Sequence, residues 1–215
     1  MSKICSTFAK IIGISYKHNM VGIVGLCKEQ VNYEKWLTHY QIPFKTVENE
    51  QQAEGVKCML FCGGPDWGVN LERDALDKRM FTYCYEHRIP MLGVCRGMQL
   101  VALFLGAQLI DDLGEKNEIH RAYLTAESRI KASRFHDIHL SDGRCMRVNS
   151  RHHQAVKNIP IECALTARSE EGVYELMFSA DEKVLLVQCH PERDEMRDSP
   201  LEQLCVNFLR KWCRV

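Results

Sequence analysis

Short apolar runs, each followed by a stretch of helical periodicity, dominate the first half of the chain. Lys10–Ser15 (KIIGIS) reads as a strand and Glu29–Tyr40 as an amphipathic helix. Val56–Cys62 (VKCMLFC) reads as a buried strand that stops at Gly63-Gly64-Pro65. Leu71–His87 carries apolar positions at Leu76, Met80, Tyr83 and Cys84, the signature of a long helix. Ile89–Val94 is again strand-like, and Gly97–Leu105 is apolar enough for a buried helix. Strands alternating with helices predict a parallel sheet covered on both faces.

After about residue 110 the texture changes. His136–Leu140, Arg144–Val148, Glu162–Ala167, Val173–Phe178 and Val184–Cys189 are short and β-like, with turn signals at Asp142-Gly143 and Glu171-Gly172. A last helix is expected over Ser199–Trp212, with Ser199 as N-cap and Pro200 at its first position. No repeat or Pro/Gly-rich linker interrupts the pattern. The expectation is one α/β domain over residues 1–215, mainly parallel, with a small antiparallel section in its second half.

Composition narrows the function classes. Lys+Arg and Asp+Glu both total 28, giving zero formal net charge, so no basic surface points to nucleic acid or a membrane surface. Low self-repulsion is compatible with a homodimer. No apolar stretch reaches the length of about 18 residues that a membrane span needs, and residues 1–15 lack a signal-peptide core. The 11 cysteines are scattered through apolar runs without C-x-x-C or zinc-finger spacing. These features predict a cytoplasmic protein with mostly buried free thiols.

One thiol stands apart. Cys95 lies in Gly93-Val94-Cys95-Arg96-Gly97, between a strand and a helix, as a G-x-C-x-G form of the nucleophile elbow. Such a turn needs glycines because backbones pass closely, and it sets the thiol at a helix N-terminus that favours the thiolate. The Arg96 N–H would face a developing oxyanion, with Gly63 or Gly64 as a second donor at the same sheet edge. Gln188-Cys189-His190-Pro191-Glu192, at the end of another apolar strand, offers His190 as base and Glu192 to fix its tautomer.

Gly93–Gln99 (GVCRGMQ), Asn149–Val156 (NSRHHQAV) and Gln188–Glu192 (QCHPE) resemble the class I glutamine amidotransferases, and most of all their γ-glutamyl hydrolase branch, which includes γ-glutamyl-γ-aminobutyrate hydrolases. The resemblance runs from about residue 58 to the C-terminus. It implies a flavodoxin-like core, a Cys95–His190–Glu192 triad, a γ-glutamyl thioester, and neither metal nor organic cofactor. It also implies a pocket for the glutamyl group bordered by Gln99 and Arg151, His152, His153 and Gln154. His120-Arg121 resembles a His-Arg pair of related hydrolases and is a further candidate for substrate contact. Two places depart from the pattern: the region before Val56 is short, and Cys62 stands where proline is frequent. The expected activity is hydrolysis of a small γ-glutamyl amide; the alternative is a glutaminase subunit that feeds ammonia to a separate synthetase partner. Adjacent His152 and His153 should point to opposite faces and so not share an ion. Asp111-Asp112, His120-Arg121 and His136-Asp137 are expected to be solvated or hydrogen-bonded in loops.

Overall fold

The computed structural model describes residues 19–125 and 131–215, so the strand expected at Lys10–Ser15 and the thiol of Cys5 lie outside the described residues. The chain runs β1 (Met20–Val24), α1 (Gln30–His39), β2 (Phe44–Val47), α2 (Glu50–Ala53), β3 (Val56–Phe61), α3 (Leu71–Glu86), β4 (Met91–Val94) and α4 (Arg96–Phe104). The short β5 (Leu109–Ile110), α5 (Asn117–His120), β6 (Tyr123–Leu124) and β7 (Lys131–Ala132) follow. Then come β8 (Arg134–Leu140), β9 (Cys145–Ser150), β10 (Ala155–Val156), β11 (Cys163–Ser169), β12 (Tyr174–Ser179), β13 (Val184–Val187) and α6 (Pro200–Cys213).

Nine strands form one sheet in the order β2-β1-β3-β4-β13-β12-β11-β8-β9. The first five are parallel, and β12, β11, β8 and β9 extend them antiparallel. The expected mainly parallel sheet with an antiparallel section is therefore observed, in a flavodoxin-like arrangement. β3 shows why its run is apolar throughout. Cys58 and Leu60 join one core layer, with Tyr33, Trp36 and Leu37 of α1 and Leu201, Cys205 and Leu209 of α6. Met59 and Phe61 join the opposite layer, with Leu76, Met80 and Cys84 of α3 and Met98 and Val101 of α4. A strand covered on both faces has no polar side to offer.

The helices carry their own punctuation. Asn70 caps α3 by accepting from the Arg73 N–H at 3.1 Å. Ser199 caps α6 through the Glu202 N–H at 3.2 Å. The Glu202 carboxylate turns inward instead, taking Trp36 Nε1 at 3.0 Å and Tyr40 Oη at 2.8 Å, and so ties α6 to α1. Two strands of the main sheet, β1 and β2, were not expected from sequence, nor were the short elements α2, β5, α5, β6, β7 and β10. Among the described residues no helix is long and apolar enough to cross a membrane. The described cysteines are all free; Cys145 is exposed, Cys163 half-buried and the others buried.

Candidate active site

β4 ends at Val94 and α4 begins at Arg96, which leaves a single residue to make the corner. That residue is Cys95, with φ 53° and ψ −110°. A non-glycine residue there is strained by about 1–3 kcal/mol and persists only where its surroundings enforce it. Here they do. The Cys95 N–H donates to the Val187 carbonyl at 2.8 Å, which carries the β4–β13 ladder up to the thiol. A Cβ on Gly97 would stand 2.0 Å from the Phe61 carbonyl oxygen, so the first turn of α4 lies directly on the end of β3.

Arg96 explains its own place in the turn. Its guanidinium points away from the site and bonds Asp77 and Asp74 of α3, both at 2.5 Å, with all three side chains buried. Asp77 also faces Arg73 at 3.5 Å. Burial pushes the Asp77 carboxyl above its ordinary range, against the pull of the two guanidiniums. The side chain is thereby committed to α3 and takes no part in lining the cavity above the elbow.

His190 follows β13 and is held at its backbone. Its N–H donates to Asn149 Oδ1 at 2.8 Å, and its carbonyl accepts from Asn149 Nδ2 at 3.2 Å. Its Nδ1 lies 2.8 Å from Glu192 Oε1, and the Glu192 side chain is fully buried. Gly63 sits between the two strand ends: its absent Cβ would lie 3.0 Å from His190 Cε1 and 3.6 Å from Cys95 Cβ. Burial works against a charged His190, but the Glu192 carboxylate and the Cys95 sulfur, with hydrogen bonds to both, outweigh it and raise the pKa to about 10. The imidazole thus faces sulfur on one side and carboxylate on the other, both of which favour its charged form.

Of the two glycines expected at the oxyanion position, Gly63 spends its N–H on Tyr33 Oη at 2.9 Å. Gly64 faces the cavity; its φ of 156° and a Cβ position 2.4 Å from Arg73 Nη1 leave no room for a side chain. The Cys62 carbonyl in the same turn accepts from Arg73 Nη2 at 3.0 Å.

A cavity of about 380 Å³ opens over this corner, lined by Cys95, His190, Gly64 and Pro65, by Cys27, Lys28 and Glu29 of the β1–α1 loop, and by Arg121, Arg151, His153 and Arg193. Its rim is cationic, with Glu29 paired to Arg193 at 2.7 Å and His153 to Asp66 at 3.0 Å. A larger cavity, about 720 Å³, lies at the opposite sheet edge, where β4 and β13 begin, and holds none of these groups.

The sequence-derived candidates divide accordingly. Cys95, His190, Glu192, Gly63, Gly64 and Arg96 converge at the corner. Arg121, Arg151 and His153 line the cavity. Gln99, His120, His152 and Gln154 are absent from its lining. Gln99 is buried and donates to the Gln154 carbonyl at 3.0 Å and to Gln188 Oε1 at 3.1 Å. His120 and His152 are buried and turned toward Glu175, so the solvated-loop expectation for His120 and for His136 does not hold: β8 and β12 enclose them, and the nearest charges are carboxylates. Sequence reasoning missed Cys27, Lys28, Glu29 and Arg193. Cys27 is a second cavity thiol whose pKa falls to about 6, led by a hydrogen bond from Cys62 and aided by Arg73, against the effect of burial.

A match to the family described as Peptidase C26 spans residues 65–192, from the glycine turn to the last residue of the His190–Glu192 pair. The chain belongs to the Peptidase C26 family. This C26 chain is 33% identical over 151 residues to a glutamine-hydrolyzing GMP synthase subunit of Pyrococcus furiosus, covering 70% of this chain and 74% of the relative. It is 32% identical over 155 residues to Protein NtpR of Enterococcus hirae, covering 67% and 64%. Its fold matches a glutamine amidotransferase from Thermotoga maritima with a TM-score of 0.65 at 15% identity, over 92% of this chain and 99% of the other. The class I glutamine amidotransferase-like resemblance read from GVCRGMQ and QCHPE therefore stands, whereas the relatives lean toward glutamine-hydrolysing subunits rather than the γ-glutamyl hydrolase branch.

Proposed function

We propose that this chain hydrolyses the side-chain amide of glutamine and releases ammonia for a separate synthetase. The observation that carries the reading is the corner where Cys95, on its strained turn, meets an imidazole braced 2.8 Å from Glu192 beneath a cation-rimmed cavity. The choice of glutamine is supported by the similarity to the P. furiosus protein, which is itself glutamine-hydrolyzing. Of the Asn149–Val156 segment that resembles the γ-glutamyl hydrolases, Arg151 and His153 line the cavity, whereas His152 faces Glu175.

In this mechanism the Cys95 thiolate attacks the amide carbonyl carbon, and the oxyanion accepts hydrogen bonds from the Gly64 and Arg96 N–H groups, each contributing about 3 kcal/mol of barrier lowering. His190 gives its Nε2 proton to the departing nitrogen; the C–N bond breaks, and ammonia leaves a γ-glutamyl thioester on Cys95. Neutral His190 then takes a proton from water as the hydroxide attacks the thioester. Collapse breaks the C–S bond, restoring thiolate and imidazolium and releasing glutamate. Glu192 holds the Nδ1 proton throughout. Lys28, Arg121 and Arg193 suit the substrate α-carboxylate, and Glu29 its α-ammonium.

The test uses the purified chain with glutamine, a panel of γ-glutamyl amides, and the glutamine-mimic electrophile diazo-oxo-norleucine. Glutamate release from glutamine with stoichiometric label on Cys95 is expected. Label on any other cysteine, or full turnover by Cys95→Ser, sinks the proposal. Faster cleavage of a γ-glutamyl amide with a bulky amine would return the assignment to the hydrolases.

A further inference from the structure

Behind the Arg121–Arg151 wall of the cavity, the protein encloses a second group of titratable side chains that amide hydrolysis does not use. Glu175 of β12 is 1% exposed. Three imidazoles from separate segments converge on its Oε1: His120 Nδ1 at 3.3 Å, His136 Nε2 at 3.4 Å and His152 Nε2 at 3.5 Å. None of these contacts has hydrogen-bond geometry. Both Glu175 oxygens and the facing nitrogen of each ring have no hydrogen-bond partner among the described residues. Buried polar atoms are rarely left so, and here four side chains leave theirs aimed at one point.

His152 fixes the sign of the missing group. Its Nδ1 is 2.9 Å from the Gln154 carbonyl oxygen, which can only accept, so the ring proton is on Nδ1. In the neutral ring, Nε2 therefore turns a lone pair toward a carboxylate oxygen. A backbone carbonyl that orients an imidazole in this way is the arrangement found behind metal-bound histidines. The spacing agrees: metal–ligand bonds of about 2.0–2.1 Å in a tetrahedron set ligand atoms roughly 3.3–3.4 Å apart. That is close to the three distances observed from Glu175 Oε1.

We propose that His120, His152 and Glu175, whose ligand atoms all lie within 4.8 Å of one another, bind a divalent transition-metal ion of the zinc type. His136, on the same carboxylate oxygen, is the nearest source of a fourth donor. The ion is a structural pin. His120 and His152 each precede or follow a cavity residue in the chain, namely Arg121, Arg151 and His153. The two segments are already laced, since the His120 carbonyl accepts from the His152 N–H at 3.0 Å and from Ser150 Oγ at 2.7 Å. Metal binding would lock this wall in place, and it does not depend on the chemistry assigned to Cys95.

The experiment uses the full chain purified without a histidine tag. Elemental analysis after dialysis is expected to find one metal ion per chain, retained in Cys95→Ala and lost in Glu175→Gln and His152→Ala. Replacement by cobalt(II) should give visible d–d bands of a tetrahedral ion without the near-ultraviolet thiolate charge-transfer band that cysteine ligation would bring. A chelator should lower the melting temperature of the wild type. Trace metal only, with no band and no melting shift on adding zinc or cobalt, overturns the proposal. So does metal that survives both Glu175→Gln and His152→Ala, or a thiolate band. If those variants fail to fold, the cobalt spectrum of the wild type decides alone.

Discussion

Glu192→Gln removes one charge from the site and almost no volume. In the wild type the carboxylate lies 2.8 Å from His190 Nδ1, fully buried, and is the first of the groups that raise the imidazole to about 10. A hydrogen bond to a charged group is worth about 1.5–3 kcal/mol. Since one pH unit is about 1.4 kcal/mol, the variant's imidazole should titrate roughly 1–2 pH units lower. In the proposed mechanism amide cleavage needs His190 protonated, so activity is expected to fall as pH rises through that value. The expected result is an alkaline limb in kcat/KM that moves from near 10 to about 8–9, so that the deficit grows above about pH 8 while protonation alone changes little at neutral pH. Stability follows the same sign. A pKa raised on folding stabilises most below the unfolded value of about 6.5 and loses that contribution as pH climbs through the folded value. The unfolding free energy of the variant should therefore lose less than that of the wild type between those limits. Glutamate release across the pH range, with iodoacetamide alkylation of Cys95 as a second probe, follows the activity limb, and urea denaturation at several pH values follows the stability. Profiles that superimpose on the wild type would refute the role given to Glu192.

Two further perturbations test the scaffold. Gly97→Ala puts a methyl 2.0 Å from the Phe61 oxygen; a loss of about 3 kcal/mol or more, or failure to fold, is expected in urea denaturation, whereas Gly143→Ala, in open space at φ 90°, should cost only the backbone strain of about 1–2 kcal/mol. Arg96→Met leaves Asp74 and Asp77 buried without their shared counter-charge. About 3–5 kcal/mol should disappear at neutral pH, with part regained on mild acidification as the already raised Asp77 carboxyl takes a proton, read by thermal melts at two pH values.

Much of this was legible in the chain itself, for reasons visible in particular residues. The Cys95 corner could be read because steric necessity leaves marks: Gly93 and Gly97 are there because two backbones touch. Ser199 and Pro200 announced α6 through capping chemistry. The helix expected over Leu71–His87 is observed as Leu71–Glu86. By contrast, β2 (Phe44–Val47) is only half-buried at the sheet edge and lacks the continuous apolar run that marks its central neighbours. β1 was missed although Val21, Ile23 and Val24 are wholly buried, because Gly22 and Gly25 break up its apolar run. Without β1 the following loop had no position, and so Cys27, Lys28 and Glu29 could not be assigned to the site. His120, His136 and His152 were misread for another reason. Their environment is made by β12, far away in sequence, and no local pattern announces Glu175 as the point on which they meet.

The contact between Gly97 and Phe61 has an evolutionary corollary. With no space for a single methyl between the helix start and the strand end, the reactive corner is closed to gradual change. A change of preferred substrate in this chain would have to come from elsewhere, from the loop residues around Lys28, Arg121 and Arg193 that line the cavity with side chains instead of packed backbone. Such a partition lets one unchanging chemical engine be fitted with many different mouths.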